Sequence, residues 1–254
     1  MPEPPLHGLG LTAAPDGGTQ RDQSIEHFGI NCYFFNDWDL IQSIMSGLGL
    51  MSADAPVFCI CGPSAAGKTT FAVALQQRLA ARGIAVLQIA CDDYYRSDWT
   101  PHPLFGYDTV EAVDSDALRH DLVLASKHQA TSLRLYDMRS RRVDRRPIAS
   151  SYDLILLEGS YGPQELLGGF PLASLVYLEE SLPLRLYRRL RRDVRDRHRP
   201  PRYVIRQMVR EMLPGERAFI RPLRVRADLV VRDQARGINA LLTLIDTALE
   251  PTRR

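Results

Sequence analysis

A run of small residues that ends in Gly-Lys-Thr has the composition needed to hold a phosphate. It follows five apolar residues, 57–61, and matches the P-loop pattern G-x-x-x-x-G-K-[ST] at every fixed position. Small residues let backbone N–H groups approach a phosphate, and the N-terminus of a following helix adds partial positive charge. The predicted nucleotide-binding residues are Gly62, Ser64, Ala65, Ala66, Gly67, Lys68, Thr69 and Thr70.

Two side chains of this loop have the chemistry for a metal-bound triphosphate. Lys68 can reach the β- and γ-phosphates, and the Thr69 hydroxyl can hold Mg²⁺. The competing interpretation is a Gly-rich strand-to-helix turn that binds nothing. The flanking sequence favours binding, because a buried strand precedes the loop and Phe71, Leu75 and Leu79 follow at helical spacing. The predicted co-substrate is therefore ATP, with Mg²⁺ as the cofactor.

Acidic residues follow two later strands that the apolar pattern predicts. Asp92 and Asp93 come after the strand over 84–90, and Glu158 follows the apolar run 152–157. Because ligands bind beyond the carboxyl ends of parallel strands, these groups are expected near the loop. Asp92 suits the general base and a metal neighbour, and Glu158 suits the metal's outer shell or a water ligand. The alternative for the aspartates is a helix cap or a turn.

Alternating strands and helices position these groups. They predict an α/β fold with a doubly wound, mostly parallel sheet of the P-loop NTPase kind. Residues 139–146 are expected to form a basic loop, and 182–195 an arginine-rich helix that belongs to a helical lid. The expected domains are a disordered segment over 1–25, an extension packed on the core over 26–55, and the nucleotide-binding domain over 56–254.

Composition narrows the setting. The chain has 254 residues and a net charge of +2, yet 15 arginines and only four acids lie between Arg185 and Arg226. No apolar run is long enough to cross a membrane, and no basic signal segment opens the chain. The four cysteines have no metal-binding spacing, so the expected location is the reducing cytoplasm. Homo-oligomerisation is left open, and no membrane partner is expected.

An ordered set of short motifs resembles the uridine kinase branch of the phosphoribulokinase/uridine kinase family. The resemblance extends over about residues 56 to 249 and is more specific than the P-loop alone. The matching pieces after the loop are Asp92-Asp93-Tyr94-Tyr95-Arg96, Tyr107-Asp108, Ala112-Val113-Asp114, Leu135-Tyr136-Asp137, Leu157-Glu158-Gly159, Arg188-Arg189, Arg192-Asp193, Arg197, Arg199, Phe219-Ile220, Pro222 and Ala227-Asp228.

The resemblance implies roles for several residues of the predicted site. Asp92 would take the proton from a sugar 5′-hydroxyl, and Asp108 would hold the ribose hydroxyls. Tyr95 and Tyr136 would flank the sugar and base. The resemblance also implies substrate contacts from Arg189, Arg199 and Gln207, and lid residues in Arg192 and Arg197 that join Lys68 and Asp92 in catalysis. Arg185, Arg195 and Arg206 are expected only on a solvated helix face.

The chain departs from the family pattern at the end of the site that would bind the base of a nucleoside substrate. Relatives usually follow the Tyr-Asp pair with an aromatic residue and then a histidine, whereas here Met138 follows and no histidine appears before Arg141. Flexible methionine tolerates varied shapes, so weak discrimination between bases, or a preference for an unusual base, is expected. In the lid, His198 stands where relatives prefer glycine, and the first 55 residues have no counterpart.

The predicted function is an ATP- and Mg²⁺-dependent kinase for a primary hydroxyl, most simply the 5′-hydroxyl of uridine, cytidine or a related nucleoside. One alternative is a family kinase for another small alcohol, such as a modified nucleoside, a pantothenate-like molecule or a sugar. A second is a non-catalytic, nucleotide-dependent regulator that binds RNA through the arginine segment. That segment lacks the interleaved aromatic residues that stack on bases, and a pure sensor needs no base such as Asp92.

Overall fold

A computed structural model describes residues 54–161 and 167–250. The expected disordered segment 1–25, and all but the last two residues of the expected extension 26–55, lie outside this part of the chain. The strands are β1 Val57–Cys61, β2 Val86–Ala90, β3 Ser132–Tyr136, β4 Val143–Pro147, β5 Leu154–Glu158, β6 Ser174–Leu178 and β7 Leu229–Val231. The helices are α1 Lys68–Ala80, α2 Ser115–Ser126, α3 Leu182–Arg195, α4 Pro201–Gln207, α5 Leu213–Gly215, α6 Leu223–Arg226 and α7 Gln234–Leu249.

Five strands form one parallel sheet in the order β2-β5-β1-β6-β7. The central strand β1 is buried on both faces: Phe58 and Ile60 contribute to one core cluster, Cys59 and Cys61 to the other. This explains its uniformly apolar sequence, since a parallel sheet between helices has no solvent face. The predicted doubly wound α/β fold is confirmed.

Helices cover both faces of this sheet. On one face, α1 contributes Phe71, Leu75 and Leu79, which share a core cluster with α7. On the other face, α2 contributes Leu118 and Leu122. Asp114 caps α2 by accepting a hydrogen bond from the Ala117 backbone N–H at 3.1 Å. The sheet is therefore held rigidly while its carboxyl edge stays available for the loops.

The prediction of a basic loop over 139–146 is confirmed for residues 139–142 and wrong for 143–146, because β4 forms an antiparallel ribbon with β3. Tyr136 pairs with Val143 and Ser132 with Pro147. All five β4 residues are exposed. Strand β4 is therefore held by backbone hydrogen bonds to β3. The side chains of β4 do not alternate between buried and exposed positions, so no sequence pattern could reveal this strand.

Helix α3 buries a polar stripe instead of a solely apolar one. Arg185, Arg189 and Asp193, spaced four residues apart, are all buried. Arg185 donates from Nη1 and Nη2 to the two carboxylate oxygens of Glu216, at 2.7 and 3.0 Å, and both side chains are 4% exposed. The expectation that Arg185 lies on a solvated face is thus wrong, whereas Arg195 is exposed as predicted.

The apolar residues of α3 face a different neighbour. Leu186 and Leu190 pack with Val194 against Val204 and Met208. The polypeptide continues from α4 through two π-helical segments, Met208–Met212 and Glu216–Ile220, separated by α5. Such segments are uncommon and often lie next to functional sites.

One glycine brings this helical region onto a predicted site residue. A Cβ at Gly215 would lie 2.1 Å from the backbone oxygen of Asp108. Only glycine allows the helix to approach that backbone without displacing it. The contact fixes the segment around Asp108 against the helical region.

We predict that Arg185→Ala lowers the free energy of unfolding by about 3 kcal/mol, because Glu216 would stay buried with only the exposed Arg221 as a counter-ion. The matched control is Arg82→Ala, which removes an exposed ion pair with Asp246 and should cost less than about 1 kcal/mol. Urea denaturation of the two variants measures both values. Equal, small losses would show that the buried pair does not hold α3 in place.

Candidate active site

The P-loop connects β1 to α1 through backbone conformations that require glycine. Gly62 has φ +140°, and a Cβ there would lie 2.5 Å from the backbone oxygen of Leu178 on β6. Gly67, at φ +92°, precedes the first residue of α1. Both conformations are costly for residues with side chains. The loop therefore places the N-terminus of α1 at the carboxyl edge of the sheet, where anions bind.

Lys68 lies across this loop. Its Nζ donates to the carbonyl oxygens of Gly62 and Pro63, at 2.9 and 3.0 Å, and to Ser160 Oγ at 3.2 Å. Burial lowers the pKa of Lys68, and the carboxylates of Asp92 and Glu158 act against that shift. Ser160, which follows β5, was not anticipated from the sequence.

Thr69 and Glu158 meet at the edge of the sheet. The Thr69 hydroxyl donates to the Glu158 carboxylate, and Thr69 Oγ1 lies 3.1 and 3.0 Å from its two oxygens. Burial raises the pKa of Glu158. The described residues contain no cluster of three histidine, cysteine or acidic side chains that could cage a metal. A hydroxyl beside one carboxylate instead fits Mg²⁺, which keeps waters and relies on substrate phosphates for the remaining oxygens.

The two adjacent aspartates after β2 have different surroundings. Asp93 Oδ1 accepts the backbone N–H of Tyr136 at 3.3 Å, which ties this turn to β3, and burial raises the pKa of Asp93. Asp92 is exposed to the cavity, and no hydrogen bond holds its carboxylate among the described residues. The arrangement gives Asp93 a structural task and leaves Asp92 able to contact a ligand.

A cavity of about 600 Å³ joins these groups. Of the residues predicted for the site, all except Gly62 and Ala66 line it. Those brought together are Ser64, Ala65, Gly67, Lys68, Thr69, Thr70, Asp92, Tyr95, Asp108, Tyr136, Glu158, Arg189, Arg192, Arg197, Arg199 and Gln207. Met138, which the sequence places at the base-reading end of the site, lines it too, as do Tyr107, Arg141, Ser160 and Arg188, which were not predicted for the site.

Arg189 connects the P-loop to the predicted sugar-binding residue. Its Nη1 donates to Ser64 Oγ at 3.1 Å, and Nη1 and Nη2 each lie 3.4 Å from a carboxylate oxygen of Asp108. Burial would lower the pKa of Arg189, but the carboxylates of Asp108 and Asp193 outweigh it and raise that pKa. The Asp108 carboxylate is therefore oriented beside the loop.

Asp193 is the organising residue that the sequence did not single out. It is fully buried, and four arginines surround its carboxylate. Arg192 Nε donates to Oδ1 at 2.9 Å, and Arg189, Arg197 and Arg199 lie 3.6–3.9 Å from its oxygens. The Asp193 carbonyl also accepts the Arg199 backbone N–H at 3.0 Å. One carboxylate thus holds together four arginines that line the cavity.

Two tyrosines form a wall of the cavity away from the P-loop. The ring centroids of Tyr95 and Tyr136 are 6.0 Å apart, with planes tilted by 42°. Burial raises the pKa of Tyr95 well above its usual range, so its hydroxyl stays protonated. Paired aromatic faces offer a flat apolar contact for a ring-shaped ligand.

The P-loop at the edge of a parallel sheet, with a carboxylate facing the same cavity, defines a phosphotransferase of the P-loop class. The sequence matches the Phosphoribulokinase / Uridine kinase family over residues 57–236, and the chain belongs to this family. It is similar to a uridine kinase of Chloroflexus aurantiacus, 30% identical over 217 residues that span 80% of this chain and all of the relative. A uridine kinase of Chloroflexus aggregans is 31% identical over 206 residues, 75% of this chain and 94% of the relative.

Solved structures show the same fold at lower identity. A possible uridine kinase from Bacillus stearothermophilus superposes with a TM-score of 0.52 at 23% identity, covering 77% of this chain and 98% of that one. D-glycerate 3-kinase from Cryptococcus neoformans gives 0.50 at 14% identity, covering 65% and 79%. The chain is an ATP-dependent phosphotransferase with an alcohol group as acceptor. None of the helices in its described part could span a membrane.

We predict that Lys68→Ala abolishes turnover, because the loop loses the point charge that Lys68 brings to the phosphates. The chain offers a matched control, since its other lysine, Lys127, is exposed at the end of α2. Lys127→Ala should leave activity within about twofold of the wild type, as expected for a solvated surface substitution. ADP release under saturating ATP measures both, and near-normal activity of Lys68→Ala would disprove the phosphate assignment.

Proposed function

We propose that this protein transfers the γ-phosphate of ATP to the 5′-hydroxyl of uridine, cytidine or a related nucleoside, with Mg²⁺ as cofactor. The observation that carries the proposal is the Asp92 carboxylate, which has no hydrogen-bond partner among the described residues and faces the same cavity as Lys68, Thr69 and Asp108. Phosphorylation of a sugar hydroxyl requires a phosphate-binding site, a general base that can accept the proton of the hydroxyl, and a carboxylate that binds the sugar. The uridine kinase relatives support a nucleoside as the acceptor.

In this mechanism the protein positions the reactants and neutralises charge. Lys68 and the backbone N–H groups of the P-loop bind the phosphates, and Asp92 accepts the proton of the attacking hydroxyl. Thr69 and Glu158 would hold Mg²⁺, which neutralises phosphate charge when it is bound. Arg192 and Arg197 add positive charge where the transferred phosphoryl group passes.

Recognition of the acceptor follows from the remaining residues of the cavity. Asp108, oriented by Arg189 at 3.4 Å, can accept hydrogen bonds from two neighbouring ribose hydroxyls. Tyr95 and Tyr136 flank the sugar and base with their rings. Arg199 and Gln207, whose Nη1 and Oε1 are 3.4 Å apart, complete the polar contacts.

Residues 192–199, which we call the lid, comprise the last turn of α3 and most of its connection to α4. Closure of the lid over the phosphates would exclude water and limit hydrolysis of ATP. Because Asp193 holds Arg192 and Arg197 together, the lid arginines would reach the phosphates as a group. The arginine-rich helical lid predicted from the sequence thus receives a specific role.

We expect Asp92→Asn to reduce kcat by about 10²–10⁴-fold while ATP binding persists, because the amide cannot take a proton. Asp93→Asn is the matched control: its side-chain oxygen can still accept the Tyr136 N–H, so its effect should be small. Steady-state kinetics together with ATP binding by calorimetry separates the two variants. The reverse order of severity would assign the base to Asp93.

We expect ribonucleosides to be used about 10- to 100-fold better than their 2′-deoxy forms in kcat/KM, since Asp108 would lose a charged hydrogen bond to the missing hydroxyl. A coupled ADP-release assay over uridine, cytidine, both deoxy forms and a panel of small alcohols and sugars measures this. Equal use of ribo and deoxy forms would remove Asp108 from the site. Turnover of another alcohol and of no nucleoside would replace the proposed acceptor by the alternative one.

A further inference from the structure

The tip of the β3–β4 ribbon is a tight loop built around Asp137. The Asp137 carboxylate accepts the backbone N–H of Arg139 at 2.8 Å and the hydroxyl of Ser140 at 2.6 Å. Its backbone carbonyl accepts the N–H of Arg141 at 2.7 Å, and its own N–H donates to Arg142. The loop ends with Arg141 in the left-handed region, at φ +59°. These bonds fix where the Arg141 side chain leaves the backbone.

The Arg141 guanidinium is held at the cavity but is incompletely satisfied. Its Nη2 donates to the backbone oxygen of Trp99 at 2.7 Å, and its centre lies 5.8 Å from the centroid of the Tyr107 ring. The neighbouring Tyr136 side chain raises the pKa of Arg141. A guanidinium carries five N–H donors, so most of them, including a buried Nε, have no acceptor among the described residues.

Arg141 differs from the other cations that line the cavity. Lys68 belongs to the P-loop, and Arg188, Arg189, Arg192, Arg197 and Arg199 belong to α3 and the lid. Arg141 instead contacts Tyr107, the neighbour of Asp108, and lies beside Tyr136 and Met138. Its surroundings are therefore those proposed for the acceptor. Arg141 is thus a cation in a part of the cavity wall that is otherwise formed by neutral side chains, namely those of Tyr107, Tyr136 and Met138.

We propose that Arg141 determines substrate specificity by donating to a carbonyl oxygen at the base end of the acceptor, so that uridine is preferred to cytidine. This inference rests on the proposed function. A guanidinium can only donate hydrogen bonds. Uracil, like thymine, presents a carbonyl oxygen at the ring position where cytosine presents an amino donor. Arg141 would pair with the former and oppose the latter, which replaces the weak base discrimination expected from the sequence alone.

The test is the ratio of kcat/KM for uridine to that for cytidine, measured in the wild-type protein and in Arg141→Gln. The wild type should favour uridine by about 10- to 100-fold, the range for a hydrogen bond to a charged donor. Glutamine presents both a donor and an acceptor, so the ratio in the variant should fall to within about threefold of one. A ratio within one protein is insensitive to the fraction that is correctly folded.

The matched control is Arg139→Gln, an exposed residue of the same loop that does not line the cavity. Its ratio should equal that of the wild type. A wild-type ratio near one, or equal losses for both nucleosides in Arg141→Gln, would overturn the role of Arg141 and leave the nucleoside kinase proposal standing. Absence of turnover with any nucleoside would overturn the proposed function and this inference with it.

Discussion

The buried ion pair between Arg185 and Glu216 fixes the orientation of everything that α3 contributes to the site. Both side chains are almost inaccessible, so rotation of α3 would leave Arg185 without Glu216 and leave Glu216 with only Arg221, 3.6 Å away, as a counter-ion. Arg185 Nη1 also lies 3.4 Å from the Ser64 backbone oxygen, which connects the pair to the P-loop. With this position fixed, helical periodicity places Arg189 in the cavity wall and Asp193, four residues further on, buried among the arginines. The arginines are therefore aimed before a ligand arrives.

The site is assembled from segments that are distant in sequence because a parallel sheet collects strand ends at one edge. Ile60 pairs with Glu158, and Glu158 pairs with Ala90, so the P-loop, Glu158 and Asp92 follow three adjacent strands. The chain after Leu178 then brings the arginines over that edge. Rigid strands thus determine the positions of the P-loop, Glu158 and Asp92, whereas helices and loops carry the residues that would distinguish one acceptor from another.

The parts of the fold and site that the sequence could predict are those with a local signature. The P-loop has fixed spacing, and β5 is an apolar run that ends in Glu158. The buried roles of Arg185 and Asp193 could not be predicted, because a charged residue on a helix is ordinarily a solvated one and its partner lies elsewhere in the chain. The strand β4 was missed since all five of its residues are exposed and it therefore has no hydrophobic alternation.

The single carboxylate of Asp193 serves four arginines, and this shared counter-ion makes their contributions inseparable. Replacing one arginine changes how strongly the other three are attracted to the same two oxygens, so the effects of two replacements will not add. Such a cluster resists gradual change during evolution, because a substitution tolerated in one background is harmful in another. Divergence within this lineage should therefore accumulate in the β3–β4 ribbon and spare the charged group around Asp193.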